Sequence, residues 1–551
     1  MNKPSSVDCQ IMWNRLIAVV EEQATTLIRT AFSTSVREAG DLSAGLFDRK
    51  GRMIAQAVTG TPGHVNAMAE SVDHFIREIG LQNMCEEDVY VTNDPWMGTG
   101  HLHDITMVSP VFRAAVLIGF FACTAHVVDI GGRGFGPDAG EVYEEGLLIP
   151  IMKFMDRGEV SQIMIQFVRA NTRVPDQVVG DLYSLAACNA AGERRLQTML
   201  DEFKINLIDH LSNVIIDSSR RATCAAISKV LNGNYRYSVA VDGFEAPVTM
   251  GVCSVIDGER LLADFTGTSG MSKFGVNCPE VYTRAYACYG LKCAIAAGVP
   301  NNAGSLEPFQ ITAPEGSILA ARRPAPVSTR HVMGHLVPDV VLGALHLALP
   351  NVVPAEGASA LWNIQISARP SDPDSGLPNK EVLMFNSGGT GARPSVDGLS
   401  ATAFPSGVST MSVEATEHVG PIIVWRKELL AGSGGAGKFR GGLGQIIEIE
   451  PRTGYDLYMN AMFDRVDHAA RGRAGGRDGA AGKVELADGT ALKSKGRQFI
   501  KNGHRLRLSL PGGGGYGLPA LRNHLAVQKD LESGFITEKQ AKSDYQYTKE
   551  P

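Results

Sequence analysis

Five residues within residues 93–132, NDPWMGTGHLHDITMVSPVFRAAVLIGFFACTAHVVDIGG, are of the types that hold a divalent metal: His101, His103, Asp104, His126 and Asp129. Four of them form two His-x-x-Asp units, His101 with Asp104 and His126 with Asp129. Neutral imidazole nitrogen and anionic carboxylate oxygen together suit a borderline or hard dication. The units flank two apolar runs, 105–112 and 115–123, which read as strands joined by a tight turn near Arg113 and Ala114. Antiparallel pairing lays the start of the first strand beside the end of the second, so the two units meet. His103 would point with His101 and away from Asp104 in a regular strand, so the ligand set requires turn geometry at 101–104. A register slip of one residue would turn the ligands to opposite faces.

A chain of 551 residues is several domain lengths long and can bury large cores around such a hairpin. With 44% hydrophobic and 20% charged residues it has the composition of an ordinary globular protein. Its formal charge is −6, and the absence of any long basic run argues against nucleic acid as a partner. The nine cysteines are scattered, odd in number and never spaced as CxxC, which speaks against a thiolate site or a disulfide framework and for a reducing cytoplasm. The start, MNKPSSVDCQIMWNRL, shows no basic segment leading into an apolar leader. The most apolar run, AAVLIGFFACTA, is too short to span a bilayer and reads as a buried strand. A soluble, cytoplasmic protein with no membrane partner is expected.

The pattern predicts a mixed α+β fold with hairpin-rich β regions, long helices and several subdomains. Apolar residues from Trp13 to Ala31 recur at helical spacing, and a hairpin turning at Asp48 to Gly51 follows. A second amphipathic helix occupies 61–80, with His64 near its start, where a helix N-terminus favours anions and a ligand contact is an alternative to the capping or surface histidine it more readily reads as. Residues 159–231 are mainly helical, with Pro175 able to open a long helix. Asp242-Gly243 and Asp257-Gly258 then signal hairpins. The expected divisions are 1–231, an α+β region with the metal-site hairpin; 232–450, a β-rich region with packed helices; and 451–551, a Gly/Arg-rich β region with an exposed terminal helix at 519–547.

Other sites compete. His331 and His335 lie four apart on an apolar helical run, 331–350, and could bind a metal from one face, but no Glu follows the first His. GSGGAGK at 432–438 has phosphate-loop spacing, yet Phe439 replaces the Ser or Thr that would hold magnesium, and no strand-loop-helix context surrounds it. Its glycines instead suit tight turns or bring the backbone close to a neighbouring chain. Glu145 is a candidate general base, or a partner behind a metal-bound histidine, or simply part of a charged turn. Arg173 could contact a substrate or a local carboxylate. No serine elbow and no nucleophilic cysteine setting is present.

NDPWMGTGHLHDIT and AHVVDIGG resemble signatures of the hydantoinase B/oxoprolinase family, and so do NTRVPDQVVGDL, the Pro-Asn-Asn-Ala-Gly and Pro-Glu-Gly-Ser elements, SGGAGKFRGGLG and PGGGGYG. The resemblance extends over most of the chain, although His103 stands where the family commonly has proline and Leu518 where it often has Asp. It implies that Asp41 joins His101, Asp104 and His126 around a divalent metal, Zn or Mn, leaving room for a water that the ion would activate near neutral pH. Asp129 would then act as a base or orient His126. It also implies a larger, ATP-using hydantoinase A-type partner, a hetero-oligomer such as a dimer of heterodimers, and hydrolysis of a cyclic amide. A ketone carboxylase subunit and a non-catalytic assembly subunit with a structural metal are the alternatives.

Overall fold

The computed structural model of the protein describes residues 6–58 and 61–547. Residues 1–5, where the reading for a leader begins, lie outside the described residues. The fold is mixed α+β, with four sheets among the described residues. The first has seven strands: β1 (Leu42–Asp48), β2 (Met53–Gln56), β3 (Val89–Thr92), β4 (Asp104–Arg113), β5 (Val116–His126), β6 (Met152–Asp156) and β7 (Glu159–Val160). Their spatial order is β2-β1-β5-β4-β3-β6-β7, antiparallel throughout.

The two central strands are the expected hairpin. Its turn falls on Ala114 and Ala115, with φ of 48° and 62°. Two successive positive φ values give the turn a twist that matches the strands it joins, so a two-residue connection suffices even without glycine. Asp104 pairs with His126 and Ile105 with Ala125, the register the ligand set needs. Strand alternation then sends Phe121, Cys123 and Ala125 to one core, and Phe120 and Ala122 to another. Helix α1 (Ser6–Thr30) packs on the first face through Leu16, Val20, Ala24 and Leu27 beside the helix Pro175–Phe203. After the short helix α2 (Thr34–Arg37), helix α3 (Pro62–Ile79) covers the other face with Met68, Val72 and Phe75.

The second sheet runs, in space, Phe309–Thr312, Arg260–Asp264, Val248–Asp257, Gly233–Val241. Its core takes in Tyr282, Tyr286 and Leu291 of the helix Glu280–Ile295. The apolar run at 331–350 is not the single helix expected. It breaks into His331–Gly334 and Val337–Leu345. Pro338, at the start of the second piece, has no N–H to continue the first. The terminal stretch likewise forms two short helices, His524–Glu532 and Glu538–Tyr545, with Gly534 at φ 69° between them.

The third sheet (Lys380–Met384, Ile364–Pro370, Tyr455–Met462, Lys495–Ile500) and the fourth (Ile422–Leu429, Gln445–Pro451, Leu506–Ser509, Lys483–Leu486) share one core, in which Ile364, Ile366 and Leu457 meet Ile447, Ile449 and Leu508. Beside it, glycine-rich segments around 388–398, 434–444 and 512–515 run against one another with backbone hydrogen bonds: Gly435 N–H to Gly513 O at 2.9 Å, Gly513 N–H to Gly442 O at 3.0 Å, Gly442 N–H to Thr390 O at 2.9 Å. The close approach anticipated for these glycines is therefore to their own chain. The segment 432–438 leads into no helix, as expected of a sequence that is not a phosphate loop.

A Cβ on Gly441 would lie 1.9 Å from Gly513 O, whereas nothing lies within 4 Å of one on Gly298. Gly441→Ala should lower the unfolding free energy by at least about 2 kcal/mol while Gly298→Ala leaves it nearly unchanged. Denaturant unfolding of the two variants checks this, and equal midpoints would contradict it.

Candidate metal centre

Three backbone features deliver the predicted ligands. Residues 101–103 form a bend and turn before β4, which supplies the required geometry and lets both His101 and Asp104 face the site. The β4–β5 register sets His126 opposite Asp104. Pairing of β1 with β5 carries Asp41 to the same place, with His126 N–H donating to Asp41 O at 3.1 Å.

The carboxylate of Asp104 is the hub. One oxygen, Oδ1, lies 2.7 Å from His101 Nε2 and 3.1 Å from His126 Nδ1. The other, Oδ2, accepts from Thr99 Oγ1 at 2.8 Å and from the Arg330 guanidinium, and lies 2.9 Å from His64 Nε2. Burial alone would raise the Asp104 carboxyl; His101, His64 and Arg330 outweigh it and hold the group well below the usual range. Donor atoms of His101, Asp104 and His126 all lie within 4.8 Å of one another.

The residues fit a divalent cation. His101 Nδ1 lies 2.7 Å from Ser328 O, which can only accept, so Nδ1 carries the proton. A neutral ring then aims the Nε2 lone pair at a carboxylate oxygen, which is repulsive without a cation or a proton between them. Burial and Arg330 push His101 down to about 3, disfavouring the proton. His126 Nε2 and both nitrogens of His103 are buried without partners. A metal ion shared by His101, Asp104 and His126 would relieve the His101–Asp104 contact, and it leaves both His103 nitrogens without a partner. The adjoining cavity, of about 20 Å³, is lined by Asp41, His64, His101, His126, Phe135 and His331, among others. It has room for about one water.

His64 is a correction. It is buried, not a capping or surface residue, and its ring spans the two carboxylates, with Nε2 on Asp104 and Nδ1 3.5 Å from Asp41 Oδ1. Burial alone would lower its proton affinity; Asp104 and Asp41 overcome that and raise it. The reason is the placement of α3, whose first turn starts over the site. Asp41 itself accepts from Thr61 Oγ1 at 2.8 Å and lines the cavity without joining the three-donor cluster. His331 and His335 line the same cavity, not a separate one. Burial first, then neighbouring positive groups, hold both rings well below the usual imidazole range.

Arg330 escaped the sequence reading. Its guanidinium sits 4.1 Å above the Tyr282 ring, and its Nε donates to Thr99 O at 2.9 Å. It lies next to His331 in the sequence, which was the one available signal. Asp129 faces away from the ligands: Oδ1 accepts from Gly131 N–H at 3.1 Å and Arg173 Nη1 at 2.7 Å, while His126 turns to Asp104. Glu145 is buried, and its Oε1 accepts from the N–H groups of Val327 (2.6 Å) and Ser328 (2.7 Å). Ser328 is the residue whose carbonyl fixes the His101 tautomer, so Glu145 holds the segment that orients His101.

The purified chain should bind about one divalent ion, and His101→Ala should abolish its retention; a full complement of metal in that variant, by elemental analysis, would contradict the site. Asp104→Asn should also destabilise the fold by about 3–5 kcal/mol, because Arg330 is left buried without its counter-charge.

Burial pushes the Glu145 carboxyl up to about 8, against the pull of its two backbone donors. Between the ordinary value of 4.5 and about 8, the folded chain keeps a proton that the unfolded chain has released. Stability contributed by this group is therefore greatest below 4.5 and falls as pH rises through that window. Glu145→Gln should flatten the fall, measured as denaturant midpoints across the window; parallel profiles would refute it.

Comparison with known proteins gives this geometry a context. The Hydantoinase B/oxoprolinase family model matches residues 5–519. The caprolactamase subunit beta of Pseudomonas jessenii is 27% identical over 584 residues, covering 99% of this chain and 96% of that protein. The crystal structure of ATP-dependent caprolactamase from Pseudomonas jessenii superposes with a TM-score of 0.90 at 25% identity, over 100% of this chain and 97% of that one. The nucleotide-free acetone carboxylase structure, at 19% identity, shares the fold with a TM-score of 0.85, over 98% of this chain and 79% of that one. With the family model covering nearly its whole length, the chain belongs to the Hydantoinase B/oxoprolinase family.

Proposed function

We propose that the chain is the metal-bearing subunit of an ATP-dependent cyclic amide hydrolase that opens a hydantoin, oxoproline or lactam ring. A larger hydantoinase A-type partner would first phosphorylate the amide oxygen with ATP. The observation that carries this reading is the convergence of His101, Asp104 and His126 in a buried cavity with room for one small ligand. Similarity to the ATP-dependent caprolactamase along the whole chain supports the hydrolytic version.

Asp41, on the cavity wall, is the fourth ligand in this proposal, and Zn or Mn the ion. When bound, such an ion polarises an oxygen of the substrate and activates water near neutral pH. The chain's own residues do the positioning. Ser328 O orients His101, while Thr99, His64 and Arg330 hold Asp104 ionised and aligned. Glu145 acts through the Val327–Ser328 backbone, and Asp129 through Arg173. An unstrained amide is a poor electrophile, which is why the proposal needs prior phosphorylation by the partner.

The ketone carboxylase reading draws on the fold shared with acetone carboxylase, and the assembly-subunit reading would keep the metal as a structural element. Co-purification with the ATP-using partner, followed by hydantoins, lactams and ketones with and without bicarbonate, separates them. ATP-dependent ring opening without bicarbonate is the expected result. His101→Ala in that complex should cut turnover by at least about a hundredfold and leave ATP binding by the partner intact. Unchanged turnover would leave the metal a structural role, and carboxylation of a ketone would replace the hydrolase.

A further inference from the structure

On the far side of Phe135 from the histidines lies a second, larger cleft of about 380 Å³, within the range of small-molecule sites. Phe135 lines both spaces, and its ring is 5.0 to 5.7 Å from those of His101, His103 and His126. The cleft floor is one face of the third sheet. Gln365, Ser367 and Arg369 alternate along the strand Ile364–Pro370, while Ile364, Ile366 and Ala368 between them enter the core. The next strands extend the row, Gln365 pairing with Asn460 and Asn460 with Arg497. The loop carrying Asp129, with Arg173, covers that face.

Two features of the cleft ask for a ligand. Its arginines are incompletely matched. Arg133 is paired with Glu144 and Arg173 with Asp129, while Arg369 reaches Glu381 at only 3.5 Å. Among the described residues the Arg497 guanidinium forms no ion pair; its backbone N–H and its charge act on the Asp138 carboxylate, and it lies 4.6 Å over the Tyr458 ring. Gln365, 3% exposed, gives its amide Nε2 to Glu381 Oε2 at 3.2 Å, and its Oε1 is buried with no donor. A buried acceptor without a donor is costly, and guanidinium groups bind carboxylate or phosphate oxygens in preference to other groups.

We propose that this cleft binds the charged end of the substrate: an oxyanion, carboxylate or phosphate, held by Arg369 and Arg497, with an N–H of the same molecule donating to Gln365 Oε1. This deepens the hydrolase reading and rests on it for the word substrate: the molecule is an amide that carries an anionic group, not an uncharged lactam. Phe135 forms the wall between that anchor and the metal centre.

Calorimetric titration of the metal-loaded chain, without ATP, partner or turnover, tests it with three probes: inorganic phosphate, 5-oxoproline, and 2-pyrrolidinone, the same ring without the carboxylate. At least one oxyanion should bind, and 2-pyrrolidinone should bind more weakly than 5-oxoproline. Binding of phosphate alone identifies the anchor as a phosphate site, and binding of 5-oxoproline alone as a carboxylate site. Arg497→Gln, at an exposed position in a strand, should weaken the oxyanion by at least about tenfold with metal content unchanged. Arg369→Gln should do the same, and provides the second variant should the first lose its fold. No oxyanion binding up to about 10 mM, or wild-type affinity in folded Arg497→Gln, overturns the proposal. Because no reaction is read, oxyanion binding in a chain whose complex opens no ring leaves the cleft standing and removes only the hydrolase reading.

Discussion

A carboxylate with no solvent contact cannot stay ionised without partners, and Asp104 draws five of them from four separate places in the chain. Thr99 and His101 come from its own loop, His126 from the neighbouring strand, His64 from the first turn of α3, and Arg330 from the segment before His331. Moving such a charge out of water costs several kcal/mol unless its geometry is met on both oxygens. The arrangement therefore depends on the first sheet, the helix above it and the second region being assembled together. Arg330 is itself buried, and its desolvation is offset chiefly by Asp104, the Thr99 carbonyl and the face of Tyr282, with Asp41 further off. The two charges secure each other across a boundary between two hydrophobic cores.

The backbone makes this meeting cheap in conformational terms. Ala114 and Ala115 turn the chain in two residues, so His126 returns to Asp104 with no loop to order. Asp41 arrives by the same logic at one remove, since its strand pairs with β5. Sheet geometry thus supplies three of the four carboxylate and imidazole positions, and a bend at 101–103 supplies the other. The backbone then locks one ring: the Ser328 carbonyl selects the His101 tautomer, and Glu145 accepts from the Val327 and Ser328 N–H groups just before that carbonyl.

What could be read from the sequence follows from the range of the interactions. The hairpin and the convergence of His101, Asp104 and His126 rest on contacts between two adjacent apolar runs joined by a tight turn, and they were legible. Asp41 was legible only through family resemblance, because the pairing of β1 with β5 is not written in either strand alone. His64 and Arg330 were not, because a histidine three residues into a helix and an arginine after a threonine look like surface residues until the fold places them against a buried carboxylate. The break at Pro338 was hidden by apolar periodicity that continues through it. The glycine-rich stretches announced close approach, but a glycine pattern carries no record of which backbone comes near.

The charge balance of the centre explains why its remaining imidazoles are neutral. Asp104 faces the Arg330 guanidinium, and with Asp41 it raises the proton affinity of His64. Further positive charge on His103, His331 or His335 would have no counterpart, and burial together with Arg330 and the neighbouring rings keeps all three well below the ordinary imidazole range. A dication added to such a site brings an excess of positive charge that neither wall can match, and the natural counterweight in a closed, low-dielectric cavity is an anionic ligand. In the proposal above, the arginines beyond Phe135 take a ligand of the same sign.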